Sequence, residues 1–594
     1  MNAHLSASNA TRLALAGTGL VQGFVYYLAY EFWPEDPTAI ALTVAPVFFV
    51  SITAIVIHLS WTGADLKRLA IVASAVAASF AVLAFWVWRQ IPVSDTSYQW
   101  DDSRAPTLIA GTALALYVLL PFLQIYQKSG RRDYPYPDLF QYSWNNFYIL
   151  GIGALLTGAF WSIIFLWYEL FKLIEVTFFE DVFTHAAFVS MSLTTVFGYG
   201  VALGRERERI TNTLRGITLA IFRTLLPLLA LIALLFLVSL PFTGLQPLWD
   251  TGHASAVLLS LIGLTILFLN GVYQDGTGEP PYDRRVRLGV EAALLALPIY
   301  AGITTYALAL RIGQYGLTPP RFYGMLFTIA AALYSIGYAV AVLVRLGGWM
   351  DTLRRVNMGM AWFIVACVVA VHTPLLDPLS LSARNQFNRL SEARADAVEF
   401  DYGFLRFRLG HAGYERLARL EQLSDHPQAA IIRERVAATR EAESYRELLA
   451  QPTVLLTADD IELADPDHTL PQGLLRAIAS DITRSQTSDC KEEGDCLIAP
   501  VMLDQDDDYE YVFILSGLTE YQILAYDRNA AGDWERIGEM VRIGPDRELP
   551  NRLALLDTLA TAGVNPVAVP YSDLEIGGIR LRFGSRLAAR LAGK

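Results

Sequence analysis

The 594-residue chain predicts an all-α polytopic membrane bundle of about eleven spans followed by a small α+β soluble domain. Three observations predict it. Apolar runs recur through the first 375 positions, each close to the about 20 residues that a helix needs to cross a hydrocarbon core of about 30 Å. Charge is scarce, 18% of residues against roughly 25% in soluble domains. It is also lopsided. Residues 1–375 carry 22 Lys/Arg and 21 Asp/Glu, whereas residues 376–594 carry 24 and 37, so the net charge of -12 belongs almost wholly to the last third. With 54% apolar residues and a mean hydropathy of +0.36, the chain is not disordered, collagen-like or a disulfide mini-domain. The acidic balance argues against a nucleic-acid partner, which would need basic surface to displace counterions.

The runs long enough to span are Leu13–Trp33, Ala39–His58, Leu69–Trp88, Leu108–Tyr126, Phe147–Phe171 and Val182–Ala202. Ile217–Pro241, Ala254–Tyr273, Leu288–Leu310, Phe322–Val344 and Val356–Leu375 complete the set. Lipid offers no partners to backbone polar groups, so these runs, lacking strand alternation, must be helical. Pro46, Pro121, Pro227 and Pro298 fall inside spans, as tolerated kinks. The first span is too long for a signal-peptide core and its flank holds only Arg12, so it is read as retained.

Loop charge predicts the orientation. With the amino terminus inside, the cytoplasmic segments hold sixteen basic residues and the opposite loops hold five. That is the asymmetry expected when positive loops stay in the cytoplasm. An odd number of spans then puts residues 376–594 outside, as a periplasmic domain of a bacterial inner-membrane protein. Cys490 and Cys496, in DCKEEGDC, read first as a disulfide in an oxidising compartment. Unpaired thiols and a metal pair are the alternatives.

The outer domain begins helical. Around FDYGFLRFRLGHAGYERLARLEQL, residues Leu405, Leu409, Tyr414, Leu417 and Leu420 recur at mainly three- and four-residue steps, and Ala429 to Leu449 reads as a second helix. From Cys496 the pattern turns to strands: DCLIAPVML, EYVFILSG, YQILAYDR, WERIGEMVRI and a late GGIRLRFGS. Between two of them Asp504, Asp506, Asp508 and Glu510 alternate, as in oxygen-rich calcium loops. Tyr509 stands where such a loop wants glycine, so a solvated acidic turn is the simpler reading. No cofactor is expected beyond this possible calcium.

Ionisable groups inside a membrane point to function by default. Glu31, Glu169, His185 and His372 lie near the outer ends of their spans, and His58, Arg223 and Glu291 near the inner ends. Arg223 either snorkels to the interface or faces the interior to bind an anionic substrate or lipid headgroup. Neutral polar groups occupy mid-depth: Gln22, Ser190 to Thr195, Thr304, Thr305, Tyr334 and Tyr338. Helix-to-helix bonding accounts for them, and a substrate route is the sharper alternative. The small residues of GTGL, GIGALLTGAF and VFGYGVALG suit close helix packing. The aromatic connector RRDYPYPDLFQYSWNNFYIL suits headgroup anchoring, with Asn145 and Asn146 capping the fifth span or lining a vestibule. Walker, GxSxG, HExxH and dinucleotide patterns are absent from the sequence.

YPYPDLFQYSWNN, LPFTGLQPLW followed by FLNGVYQDG, QYGLTPPRFY, and LDPLSLSARNQ leading into FDYGFLRFRLG together resemble the bacterial membrane-protein family called domain of unknown function 4153. The resemblance runs from about Tyr134 to Gly410. It implies an integral protein of a bacterial envelope and supplies no activity or site residues.

The favoured expectation is a non-enzymatic envelope protein whose periplasmic domain recognises a ligand, ion or envelope protein partner, with membrane lipids around the body. The alternative is a transporter or lipid-handling protein. An intramembrane transferase would need Glu169, Glu175, His185 and His372 to converge on the outer side.

Overall fold

The computed structural model describes residues 2–442 apart from 62–64, 91–103, 251–252, 275, 277–280 and 345–349. Beyond 442 it describes 444–445, 448, 461–463, 470–485, 496–501, 509–516, 521–529, 532–539, 574–576 and 579–581. Eleven of its helices are long and apolar enough to cross a membrane. They are α1 (Asn2–Glu31), α2 (Pro37–Ser60), α3 (Leu66–Trp88), α4 (Arg104–Ser129), α5 (Tyr136–Lys172) and α7 (Ala186–Glu206), then α8 (Glu208–Thr243), α10 (Ala254–Tyr273), α11 (Arg284–Tyr315), α12 (Pro319–Val344) and α13 (Met350–Val371). The short α6 (Phe178–Thr184) and α9 (Gln246–Asp250) lie between spans, and α14 (Pro378–Ser391), α15 (Tyr402–Arg408), α16 (Gly410–Leu420), α17 (Ala429–Glu441) and α18 (Gln472–Ser485) follow. The run expected from Val182 is broken at His185, which is extended and whose Nδ1 accepts from the Ala187 amide at 3.2 Å, so the sixth span starts at Ala186.

The chain divides into two compact units, residues 1–395 with 404–429 and residues 396–403 with 430–594. The first unit takes in α14 and α16, past the change of composition at Leu375. It holds two apolar cores. One gathers Leu15, Ile52, Val56, Ala77, Leu108, Leu120 and Val201, from α1 to α4 and α7. The other gathers Leu226, Leu258, Ile262, Leu294, Tyr300 and Tyr338, from α8 and α10 to α12.

Small residues set the closest approach. A Cβ at Gly19 would lie 2.2 Å from the Thr194 carbonyl oxygen, and one at Gly23 would lie 2.5 Å from the Ser190 oxygen. Only glycine lets α1 and α7 touch backbone to backbone there, the use made of small residues where no hydrophobic force drives helices together. At this seam the Thr194 hydroxyl bonds within its own helix, donating to the Ser190 carbonyl at 2.9 Å.

In α16 the buried positions are Leu417 and Leu420, continuing from Leu405 and Leu409, all 0% exposed. Tyr414, expected on that face, is 54% exposed. The inward positions run from Leu405 through Leu409, Gly413, Leu417 and Leu420 at steps of four and three, so Gly413 takes the buried place and Tyr414, five residues past Leu409, turns outward.

In the second unit α18 lays Leu474 and Ile478 on a sheet whose strand order is β1 (Glu462–Leu463), β2 (Cys496–Val501), β3 (Glu510–Ser516), β4 (Tyr521–Arg528) and β5 (Trp534–Glu539). β2 to β5 are antiparallel neighbours, as the short β-branched and aromatic runs predict, and β1 pairs parallel to β2. Ile498, Phe513, Leu524 and Tyr526 face α18, while Leu497, Ala499, Val512 and Ile514 make an apolar cluster of their own. β6 (Leu574–Ile576) and β7 (Ile579–Leu581) pair as a separate antiparallel hairpin.

Candidate functional site

Polar groups buried among membrane helices must find partners inside the protein. The largest set of them joins four spans. Asn270, near the end of α10, donates from Nδ2 to the Tyr338 hydroxyl at 2.8 Å. Tyr338 of α12 donates to Asn357 Oδ1 at 2.6 Å. Asn357 of α13 donates from Nδ2 back to Asn270 Oδ1 at 2.6 Å and to the Tyr136 hydroxyl of α5 at 2.7 Å. The ring Asn270–Tyr338–Asn357 closes on itself, and the remaining Asn270 bond goes to the Ile266 carbonyl at 2.9 Å. Tyr338 is fully buried. Tyr136 belongs to YPYPDLFQYSWNN and Asn270 to FLNGVYQDG, so two stretches far apart in sequence meet here. The cluster is neutral and its donors are matched to acceptors. Such a fully bonded ring fixes helix positions.

Beside it, Gln124 of α4 and Asn146 of α5 pair reciprocally at 2.9 and 3.0 Å, and Gln124 also donates to the Leu59 carbonyl at 3.0 Å. Asn146 is 1% exposed and is spent on this pair. Asn145 accepts from Arg215 at 3.2 Å. The carbonyl end of α2 is closed by Arg205, which donates to His58 O at 2.8 Å and to Trp61 O, a cation placed at the negative end of the helix dipole.

Arg223 lies on the exposed side of α8, and its Nη2 donates to the Pro281 carbonyl at 2.6 Å. Pro227, four residues on, brings no N–H to the Arg223 carbonyl. The Tyr282 hydroxyl supplies the missing donor at 2.7 Å. Burial pushes that hydroxyl up to about 12, with the Arg223 charge pulling the other way, so at neutral pH it keeps the proton it donates.

A second meeting of motifs lies where α11 turns into α12. Leu317 N donates to Asn385 Oδ1 at 2.8 Å, and Gln386 Nε2 donates to Tyr315 O and Leu317 O, both at 3.2 Å. Arg389 donates to Gly313 O at 2.8 Å and Gln314 O at 2.7 Å. QYGLTPPRFY thus holds LDPLSLSARNQ. Gly316 (φ 78°) makes the turn, and a Cβ there would meet Gln386 Nε2 at 2.6 Å. At its start α14 is tied by Asp377, which caps it by accepting from Leu379 N at 3.3 Å. Asp377 also pairs with Arg104 of α4 at 2.9 Å, the two side chains 12% and 7% exposed.

The remaining sequence candidates scatter. His185 lies beside the Tyr27 ring at 6.2 Å, whereas His372 is buried against α4 at Gly111 and bonds its own Val368 carbonyl at 2.7 Å. Among the described residues no group of three or more His, Cys, Asp or Glu could hold a metal ion. Asp504, Asp506, Asp508 and Cys490 lie outside the described residues. Glu510 opens β3 and is 1% exposed, and Cys496 opens β2 and is likewise buried. Asn357, Gln124 and Asn385 are the partners that sequence reasoning missed. The available signal was an amide near the end of an apolar run for Asn357 and Gln124, and for Asn385 its place in LDPLSLSARNQ.

Comparison with curated proteins finds no match, and comparison with solved structures finds none. The family model described as Domain of unknown function (DUF4153) matches residues 38–420, a range that contains both motif junctions, and the chain belongs to that family.

Proposed function

We propose that this multi-span protein is a non-enzymatic envelope protein of the bacterial inner membrane, with its amino terminus cytoplasmic and its acidic carboxyl-terminal region periplasmic. That region recognises a ligand, an ion or an envelope protein partner, and the helical body relays the event. The observation that carries this reading is the latch of α14 onto the α11–α12 turn through Asn385, Gln386 and Arg389. A tether needs one span and a loose linker. A connector bonded to the bundle passes displacement into it. Transport is less well supported, because the mid-depth hydroxyls of Thr194, Thr304 and Thr305 bond within their own helices. A Cys490–Cys496 disulfide fits the periplasmic placement, with Cys496 buried at the start of β2 and Cys367 free. Calcium at Asp504, Asp506, Asp508 and Glu510 is the ion this reading would test first.

The test joins topology to recognition. A reporter enzyme active only in the periplasm, fused after Lys594, is expected to be active. Photo-crosslinkers at the exposed positions Tyr509 and Ile537 are expected to give a discrete adduct whose yield changes in Asn385→Ala/Gln386→Ala. A reporter active only in the cytosol refutes the reading, and the absence of any adduct at native protein levels refutes its protein partner.

A further inference from the structure

We infer that Arg311, Arg321 and Arg389 form a binding site for a phosphate group at the α11–α12 turn, a role that goes beyond the recognition proposed for the carboxyl-terminal region. The three come from α11, α12 and α14 and converge on residues 313–317. Arg389 is held by Gly313 O and Gln314 O at 2.8 and 2.7 Å, and Arg321 by Gly316 O at 2.8 Å. The guanidinium carbons of Arg311 and Arg321 lie 5.9 and 5.3 Å from the centroid of the Tyr315 ring. Among the described residues, Arg311 and Arg389 both bring charge of the same sign to bear on Arg321.

Elsewhere in the first unit arginines find carboxylates: Arg12 with Glu206, Arg68 with Asp65, Arg104 with Asp377 and Arg287 with Glu291. Among the described residues none of these three makes an ion pair. Their cations are instead anchored to backbone carbonyls and an aromatic face, an arrangement that fixes position and leaves the charge uncancelled. Most of their N–H donors stay unspent, and Arg311 and Tyr315 are exposed.

Position adds a second argument. With eleven spans threaded in turn, this end is opposite the amino terminus, where the connecting loops hold only five basic residues and Arg311 and Arg321 are two of them. Loop-charge bias therefore does not account for a cluster here. Both sit at span termini, the depth of lipid headgroups. Guanidinium forks match the oxygens of a phosphate in shape and charge. The shared chemistry is an anionic phosphate, and its sources are a phospholipid headgroup of that leaflet or free phosphate.

The test uses the full-length protein in detergent, with dansyl-phosphatidylglycerol as probe and dansyl-phosphatidylcholine as control. In Arg311→Gln/Arg321→Gln, phosphatidylglycerol binding is expected to weaken by about fivefold or more, since two charge-assisted contacts are lost, with the control unchanged. Arg311→Lys should retain only part of the binding, because the charge stays and the fork is lost. Competition by millimolar inorganic phosphate would assign free phosphate as a ligand, and its failure beside an arginine-dependent probe would assign the headgroup. A double variant that melts like the native protein and binds both probes with native affinity overturns the proposal. Should the double variant not fold, Arg311→Gln alone decides, because that side chain makes no hydrogen bond within the described residues. An unchanged affinity there overturns the proposal too. Reporter activity after Lys594 is independent of this result, so the two proposals fail separately.

Discussion

Replacing Asn357 with leucine removes the node of the Asn270–Tyr338–Asn357–Tyr136 cluster. Three interhelical bonds disappear: from Tyr338 at 2.6 Å, to Asn270 at 2.6 Å and to Tyr136 at 2.7 Å. Interhelical hydrogen bonds in membranes average about 0.6 kcal/mol and reach about 1.7, so the loss is about 2–5 kcal/mol. Leucine restores volume without polarity, which isolates the bonding term. Tyr338→Phe keeps the ring and removes two of the bonds, including one of the three, so it should cost about 1–3 kcal/mol. Because both act on one ring, the double variant should cost less than the sum of the singles by about 0.5 kcal/mol or more. The assay is reversible unfolding of the purified protein in mixed micelles, titrated with a denaturing detergent and followed by far-UV circular dichroism. If Asn357→Leu lies within about 0.5 kcal/mol of native, or the double variant is strictly additive, the ring does not clamp four spans and the reasoning fails.

Other outcomes follow from the same contacts. Gly19→Ala should destabilise the protein by about 2 kcal/mol or more, because its Cβ would lie 2.2 Å from the Thr194 oxygen, whereas Gly17→Ala, with open space around it, should melt like native. Asp377→Ala should cost about 3–5 kcal/mol by stranding Arg104 in a buried site, and Arg104→Leu/Asp377→Leu should recover part of that loss in the same unfolding assay. Tyr282→Phe should cost about 1 kcal/mol by orphaning the Arg223 carbonyl. In a Pro227→Ala background, where the alanine N–H can reach that carbonyl, the penalty should shrink, and equal penalties in both backgrounds would disprove the repair role.

Membrane spans are legible because lipid makes composition and length nearly sufficient. The runs drawn from hydropathy coincide with the spanning helices to within a few residues, apart from the sixth and the longer α1, α5, α8 and α11, whose polar ends lie beyond the apolar run. The sixth begins late because His185 caps it, a local bond that average hydropathy does not register. The strands were equally readable, since EYVFILSG and YQILAYDR are short runs rich in β-branched and aromatic residues bounded by turn residues. The site was legible only in pieces. YPYPD and NGVYQDG stood out as unusual stretches, yet their meeting at Asn357 depends on tertiary contact across four helices, which one sequence does not encode locally. Tyr414 shows a second limit: a count of apolar residues prefers the aromatic to its small neighbour, whereas Gly413 is the residue that packs inward, where a Cβ would meet the Leu405 carbonyl oxygen.

The seam between α1 and α7 constrains biosynthesis. Arg12 and its partner Glu206 stand 194 positions apart. At ~5–20 residues per second a ribosome takes about 10–40 s to cover that interval. Through that time the first helix waits at the insertion machinery or in lipid with its glycine face uncovered, while four further spans enter before its mate arrives.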